Sequence, residues 1–358
     1  MHSVDPAILY SRYGYRSSTN ATMRAHLTKI ALDTDALRMK NNLRVDSGPS
    51  CLDVGCNDGF LSRQLPTTYP KVGIDPCDIG KSIEGIPNFR FVNDIFPSAK
   101  LGKSTFDIIT MIACFYDLND PVTVATALCD RLKASGILVV EVSYWPTKMA
   151  QNALDEICQE HVCFYNFQNL EAIFYKAGLT IFNVEKNNIN GGSIQVWLCR
   201  ADSPVNYSTP DFQKNIMLVK FDEMDQRLDT PAPYNYFRGR CEKLKYEIRS
   251  LFKKIQGEGK TVHLYGASTK GNVLLQYLDL NSKDIPYAAE RSKEKHGGAT
   301  LGTGIKMISE EDSRAMRPDY YFVPIWSFRD EVIRREQTFI ESGGKLIFPL
   351  PKLEIIGK

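Results

Sequence analysis

"LDVGCNDGFLS", residues 52 to 62, decides the fold class of this chain. An apolar run ends in one glycine, and a second glycine four residues later opens a stretch with helical spacing. Gly55 permits a tight turn and close backbone approach, while the helix start beyond it offers N–H donors to a carboxylate or phosphate. Only Gly55 and Gly59 are present, so the stretch is not the GxGxxG fingerprint of a dinucleotide site.

Working outward, "KVGIDP" places Asp75 at the end of the next strand, where doubly wound folds put an acid that accepts from ribose hydroxyls. "FVNDIF" closes a further strand with Asp94, suited to the edge of an adenine ring, and Ile95 packs beside it. A single acid at such a position is ordinarily a cap or a surface residue. Acids at successive strand ends form a constellation that capping alone does not explain.

From 50 to 142 short β-rich runs alternate with helical stretches, which implies right-handed crossovers and a largely parallel sheet. A helix over 167–177 leads into the strands "LTIFNVEKNNI" and "SIQVWLCR". "ADSPVNYSTPDF" at 201–212 reads as a boundary, followed by helices near 212–229 and 235–256. A second strand, glycine turn and helix then appear in "TVHLYGASTKGNVLLQYL", with "IPYAAE", "DYYFVPI" and "KLIFPL" as further strands and one helix expected over 326–344. The expected organisation is a helical, substrate-contacting segment at 1–46, a cofactor-binding α/β domain at 47–203, a helical linker at 204–259 and a second α/β domain at 260–358.

Length fits two cores: 358 residues are about twice the usual domain. A net charge of +2 without clustered Lys and Arg argues against nucleic acid as a partner. Runs such as "GILVVEV" at 136–142 are far shorter than a bilayer span, and the first twenty residues have no secretory pattern. A reducing, cytoplasmic setting with no membrane partner is expected. The nine cysteines are odd in number and form no CxxC, which fits free thiols and no metal site.

The first motif resembles that of class I S-adenosylmethionine-dependent methyltransferases. The resemblance implies a Rossmann-like domain in which Asp53, Gly55, Cys56, Asn57, Asp58 and Gly59 surround the methionine part. Asp75 would take the ribose, and Asp94 and Ile95 the adenine side. A closer resemblance, over nearly the whole chain, is to sugar C-methyltransferases acting on nucleotide-linked 4-keto deoxysugars. It rests on "YSRYGYRSSTNATMRAH" at 10–26, "QEHVCFYNFQNLEAIFYKAGL" at 159–179, "NGGSIQVWLCR" at 190–200 and "YGASTKGNVLLQYLDL" at 265–280, in matching order and spacing. The tail "ERSKEKHGGATLGTGIKMISEEDSRAMRPDYYFVPIWSFRDEVI" extends it to about 333.

A lone histidine among apolar neighbours, as in "ICQEHVCFYN" at 157–166, is usually structural. The resemblance makes His161 the general base that removes a proton next to a ketone, with Glu160 orienting its ring or contacting the sugar. Carbon becomes nucleophilic only as the enolate, and imidazole has a pKa near the working pH. Tyr15 or Tyr13 would donate to the enolate oxygen. Asn190, Gly192 and Ser193 would contact the sugar. Lys270, Asn272, Arg291, Lys295 and His296 would hold the nucleotide diphosphate in the second α/β domain. Trp326 reads as core and capping.

The chain departs from that family in three places. Cys158 stands where relatives often carry Tyr, Asn190 replaces the His of "HGGS", and the chain starts after the point where a cysteine-rich zinc module would end. The implied partner is a nucleotide-linked keto sugar, with the protein a monomer or weak homodimer. Rival readings are an O- or N-methyltransferase of a sugar or small natural product, and a non-catalytic adenosylmethionine binder.

Overall fold

The computed structural model describes residues 4–11, 14–41 and 48–357. It divides into two compact units, Met1–Trp145 with Gln159–Gln226, and Pro146–Cys158 with Arg227–Lys358.

The first unit is built on a seven-stranded sheet of β1 (Cys51–Val54), β2 (Lys71–Asp75), β3 (Phe89–Asn93), β4 (Phe106–Ile112), β5 (Leu132–Ser143), β6 (Leu179–Asn187) and β7 (Ser193–Arg200). Their order is β3-β2-β1-β4-β5-β7-β6. β1 to β5 run parallel, and β7 lies antiparallel to both β5 and β6. The central parallel strands are buried on both faces, which is why the "GILVVEV" part of β5 reads as a nearly continuous apolar run, whereas the edge strand β3 buries only Val92.

The helices are α1 (Pro6–Tyr10), α2 (Ala21–Lys40), α3 (Phe60–Gln64), α4 (Pro121–Arg131), α5 (Trp145–Ala150, most of which belongs to the second unit), α6 (Phe167–Lys176) and α7 (Pro210–Asp225). α2 buries Met23, Leu27, Ile30, Ala31 and Thr34, a helical stripe packed against Ile108, Ile137 and Val139. Asn20 caps its start by accepting from the Thr22 N–H at 2.8 Å. α3 is shorter than the sequence suggests. Leu65, held before Pro66, turns to ψ 150° and ends the helix.

The second unit has six strands, β8 (Val262–Tyr265), β9 (Tyr287–Glu290), β10 (Lys306–Ser309), β11 (Tyr320–Phe322), β12 (Lys345–Phe348) and β13 (Glu354–Ile356), in the order β10-β9-β8-β11-β12-β13. All pair in parallel except β13, which is antiparallel to β12. Its helices are α8 (Ala232–Gly257), α9 (Thr269–Tyr277), α10 (Glu310–Ala315), α11 (Arg329–Arg335) and α12 (Gln337–Glu341). The single helix expected over 326–344 is broken at Glu336, whose φ/ψ of −100°/23° separates α11 from α12. Its carboxylate, 2% exposed, is drawn inward to accept from the Tyr265 hydroxyl at 2.8 Å and to pair with Arg314.

One buried carboxylate ties the antiparallel end of the first unit together. Glu223 of α7 is 2% exposed and accepts from the Tyr144 hydroxyl at 2.8 Å and from the Phe167 and Gln168 N–H groups at the start of α6. Three donors lose their acceptor if it is removed. Glu223→Ala is expected to lower the stability of this unit by about 3 kcal/mol, since hydrogen bonds to charged groups contribute more than neutral ones. Urea denaturation followed by a probe in the first unit checks this; a change within error of zero refutes it.

Candidate active site

The turn after β1 is drawn tight by hydrogen bonds from the strand beside it. Gly55 donates to the Ile74 carbonyl at 2.8 Å, and the Asn57 N–H donates to Asp75 Oδ2 at 2.9 Å. The other oxygen of Asp75 accepts from the Cys77 N–H at 2.8 Å. Gly55 has φ +71°, and a Cβ there would meet Cys114 Sγ at 2.8 Å, so both conformation and space require glycine. Burial raises the Asp75 carboxyl from its ordinary value, against the lowering effect of the Cys77 and Asn57 N–H groups.

Asp53 and Cys56 lie under this turn rather than on its rim. The Asp53 carboxylate accepts from Thr110 Oγ1 at 2.7 Å and Ser62 Oγ at 3.3 Å, joining β1, β4 and α3. Burial pushes it up to about 7, opposed by those two hydroxyls. The Cys56 side chain packs with Cys77 and Ile79. Asp94, at the end of β3, accepts from Ser98 Oγ at 2.7 Å and the Ile95 N–H at 2.9 Å, which hold it below the usual carboxylate value. Ile95 beside it is 36% exposed.

The amino-terminal segment clasps the same turn, an arrangement the sequence did not disclose. The Ser17 N–H donates to Asn57 Oδ1 at 3.0 Å, the Ser18 N–H to Asp58 Oδ2 at 2.8 Å, and Asn57 Nδ2 to the Tyr15 carbonyl at 3.0 Å. Tyr15 is thereby fixed over the turn. Desolvation, with the Asp58 charge adding to it, pushes its phenol up to about 12, so it is a neutral donor at physiological pH. Tyr13 lies outside the described residues.

Glu160 and His161 sit against the turn that follows β4. The Val162 and Cys163 N–H groups donate to the Tyr116 carbonyl at 3.0 and 2.9 Å, and the His161 and Tyr116 rings meet edge to face with centroids 4.5 Å apart. Glu160 Oε2 is buried and accepts no hydrogen bond. Beyond α6 and β6, Asn190, Gly191 and Gly192 take positive φ values of 52°, 81° and 117° before β7. Ser193 Oγ closes that turn on the Ile189 carbonyl at 3.0 Å.

A second His–Glu pair escaped sequence reasoning. His26 Nε2 on α2 lies 2.8 Å from both oxygens of Glu141 on β5, and Asn187 Nδ2 donates to Glu141 at 2.9 Å. The available signal was a glutamate inside the apolar run "GILVVEV".

In the second unit, α9 follows Gly266, and Ser268 caps it by accepting from the Gly271 N–H at 3.0 Å. Lys270 is ion-paired to Glu156, a 1%-exposed carboxylate that also takes the fully buried Lys148 ammonium at 2.8 Å. Trp326 Nε1 donates to Asp155 at 2.9 Å, in keeping with a core role. Asn272 Oδ1 is buried without a donor. Lys295 donates to the Ala267 carbonyl at 2.9 Å, and His296 Nε2 lies 2.8 Å from the Glu290 carbonyl, while Arg291 is exposed. Among the described residues no group of three or more His, Cys, Asp or Glu gathers as metal ligands, and no helix is long and apolar enough to cross a membrane. All nine cysteines are free thiols.

Residues 23–184 match a methyltransferase domain family, and residues 188–351 match the C-methyltransferase C-terminal domain family. The chain is 28% identical over 367 residues to the C-methyltransferase NovU of Streptomyces niveus, covering 99% of this chain and 84% of that protein. A malonyl-[acyl-carrier protein] O-methyltransferase of Halalkalibacterium halodurans is 31% identical over 109 residues, 26% of this chain and 39% of that one. Among solved structures, an S-adenosylmethionine-dependent methyltransferase from Clostridium acetobutylicum superposes with a TM-score of 0.41 at 13% identity, over 51% of this chain and 93% of its own.

The raised Asp53 carboxyl has a signed consequence. Between the ordinary carboxylate range and about 7 the folded chain holds a proton that the unfolded chain has released. Stability therefore falls as pH rises through that window, by at most about 4 kcal/mol. Asp53→Asn, which keeps an acceptor for Thr110, is expected to flatten that slope between roughly pH 4 and 7 in thermal or urea unfolding. An unchanged slope contradicts the assignment.

Proposed function

We propose that this chain, an S-adenosylmethionine-dependent methyltransferase that joins a methyltransferase domain to a C-methyltransferase C-terminal domain, methylates the carbon beside the ketone, C3, of a nucleotide-linked 4-keto deoxysugar. The bound cofactor supplies a methyl group made electrophilic by its sulfonium. In this reading Gly55, Asn57, Asp58 and Gly59 hold the methionine part by backbone and side chain. Asp75 receives the ribose hydroxyls on the lone pairs that Asn57 and Cys77 leave open. Asp94 and Ile95 border the adenine.

His161 takes the proton from the carbon next to the ketone, and Glu160 steadies its imidazole. The arrangement that carries this reading is the hydrogen-bonded seat of residues 162–163 on Tyr116, which fixes His161 just beyond β4, the strand next to β1 and its glycine turn. Tyr15 is protonated throughout the working range and donates to the oxygen on which enolate charge develops. Asn190, Gly192 and Ser193 orient the sugar, and Lys270, Asn272, Arg291, Lys295 and His296 bind the nucleotide diphosphate in the second unit. The name of the Streptomyces niveus relative, a C-methyltransferase, supports carbon as the acceptor.

Mass spectrometry of nucleotide 4-keto sugars incubated with adenosylmethionine should reveal one added methyl, located on carbon by fragmentation. His161→Ala is expected to lower kcat/KM at least about 100-fold, as loss of a general base does, with cofactor affinity unchanged. Methylation on oxygen or nitrogen, or full activity in that variant, overturns the reading.

A further inference from the structure

We propose that the outward face of α7 is a self-association surface, on which a second copy of this chain docks with its own α7 antiparallel across a two-fold axis. No residue of the glycine turn or of the His161 seat lies on this helix, so the contact is independent of the reaction proposed above.

α7 carries apolar residues on both of its faces. Toward the sheet it buries Val219 and Glu223, with Phe212 and Ile216 half-buried beside them. Toward solvent it presents Met217, Leu218, Phe221 and Met224, which are 56%, 52%, 61% and 64% exposed. Their spacing of i, i+1, i+4 and i+7 aligns them in one stripe. A single exposed apolar side chain is ordinary, but these four neighbours expose roughly 500 Å², the size at which a patch on a soluble protein marks a contact.

The charges around the stripe point to what covers it. On its flanks Lys220 pairs with Glu171 at 2.8 Å and Asp222 with Lys186 at 2.5 Å, so these are satisfied within the unit. Two exposed charges lie on the stripe itself, Lys214 one turn before Leu218 and Asp225 one turn after Phe221. Neither has an ion-pair or side-chain hydrogen-bond partner among the described residues. Lys214, Leu218, Phe221 and Asp225 stand at i, i+4, i+7 and i+11, the spacing of a seam along which two helices pack.

Antiparallel pairing about an axis between Leu218 and Phe221 brings Leu218 of one copy onto Phe221 of the other, and sets Lys214 beside Asp225 at both ends. A parallel pairing would place Lys214 against Lys214 and Asp225 against Asp225, which like-charge repulsion disfavours. A bilayer surface is a poor match: the two lysines of α7 are outnumbered by Asp211, Asp222, Glu223 and Asp225, whereas membrane-surface helices carry a basic polar face. Two stripes together remove about 1,000 Å², the lower bound for a specific interface, so the dimer forms at micromolar concentration and dissociates on dilution.

Sedimentation velocity of the full chain at rising micromolar concentration tests this. A reversible monomer–dimer equilibrium is expected. Phe221→Glu should be monomeric throughout, with adenosylmethionine affinity as in the unaltered protein showing that the variant is folded. Lys214→Glu should weaken dimerisation at least about fivefold, and Lys214→Glu combined with Asp225→Lys should return it to within about twofold of the unaltered chain, because the reversed charges meet in the same register. A chain that stays monomeric at every concentration, as it does when another segment or another protein covers the stripe, overturns the proposal. So does a dimer that survives Phe221→Glu, or a double reversal that leaves association as weak as the single one.

Discussion

A carboxylate that ends the second strand of each sheet and grips the backbone of the turn after the first is the constraint on which this molecule is organised. In the first unit Asp75 holds the Asn57 and Cys77 N–H groups, and thereby the shape of the glycine turn. Once the turn is set, the amino-terminal segment can dock on Asn57 and Asp58, and Tyr15 follows. In the second unit Glu290 does the same for the Gly266 turn. Two mixed, mainly parallel sheets are thus shaped at one end by the same local chemistry.

The elements most visible in the sequence were those whose local signal and tertiary role coincide. β1 to β5 and the glycine turn are legible because short β-rich runs alternate with helical stretches, and the acids Asp75 and Asp94 mark the ends of β2 and β3. β10 and β13 were missed because edge strands of four and three residues carry neither a long run nor a clean alternation. The expected 326–344 helix breaks because Glu336 satisfies Tyr265 and Arg314 in the interior, a demand set by residues far away in sequence. The part Glu290 plays in holding the Gly266 turn is illegible for a similar reason, since it comes from the Ala267 and Ser292 N–H groups it accepts, and no spacing rule displays that.

Three buried ionisable groups are held in pairs. His26 with Glu141, Lys148 with Glu156, and Glu336 with Arg314 each place an ionisable group where burial alone would disfavour it. Sequence flags these only as polar residues interrupting apolar stretches, as Glu141 does in "GILVVEV". Asp53 has no such cation. Burial pushes its carboxyl up to about 7 against the lowering effect of the Thr110 and Ser62 hydroxyls, while it braces the turn from below.

The central chemical claim is that His161 generates an enolate before carbon accepts a methyl group. Proton exchange reports that step in isolation: a nucleotide-linked 4-keto deoxysugar is incubated with the protein in heavy water with S-adenosylhomocysteine in place of the methyl donor, and deuterium is followed by NMR at the carbon beside the ketone. The account predicts enzyme-dependent incorporation at that carbon, lost in His161→Ala. Carbon methylation by the intact protein without any such exchange, or exchange that survives in His161→Ala, would contradict it.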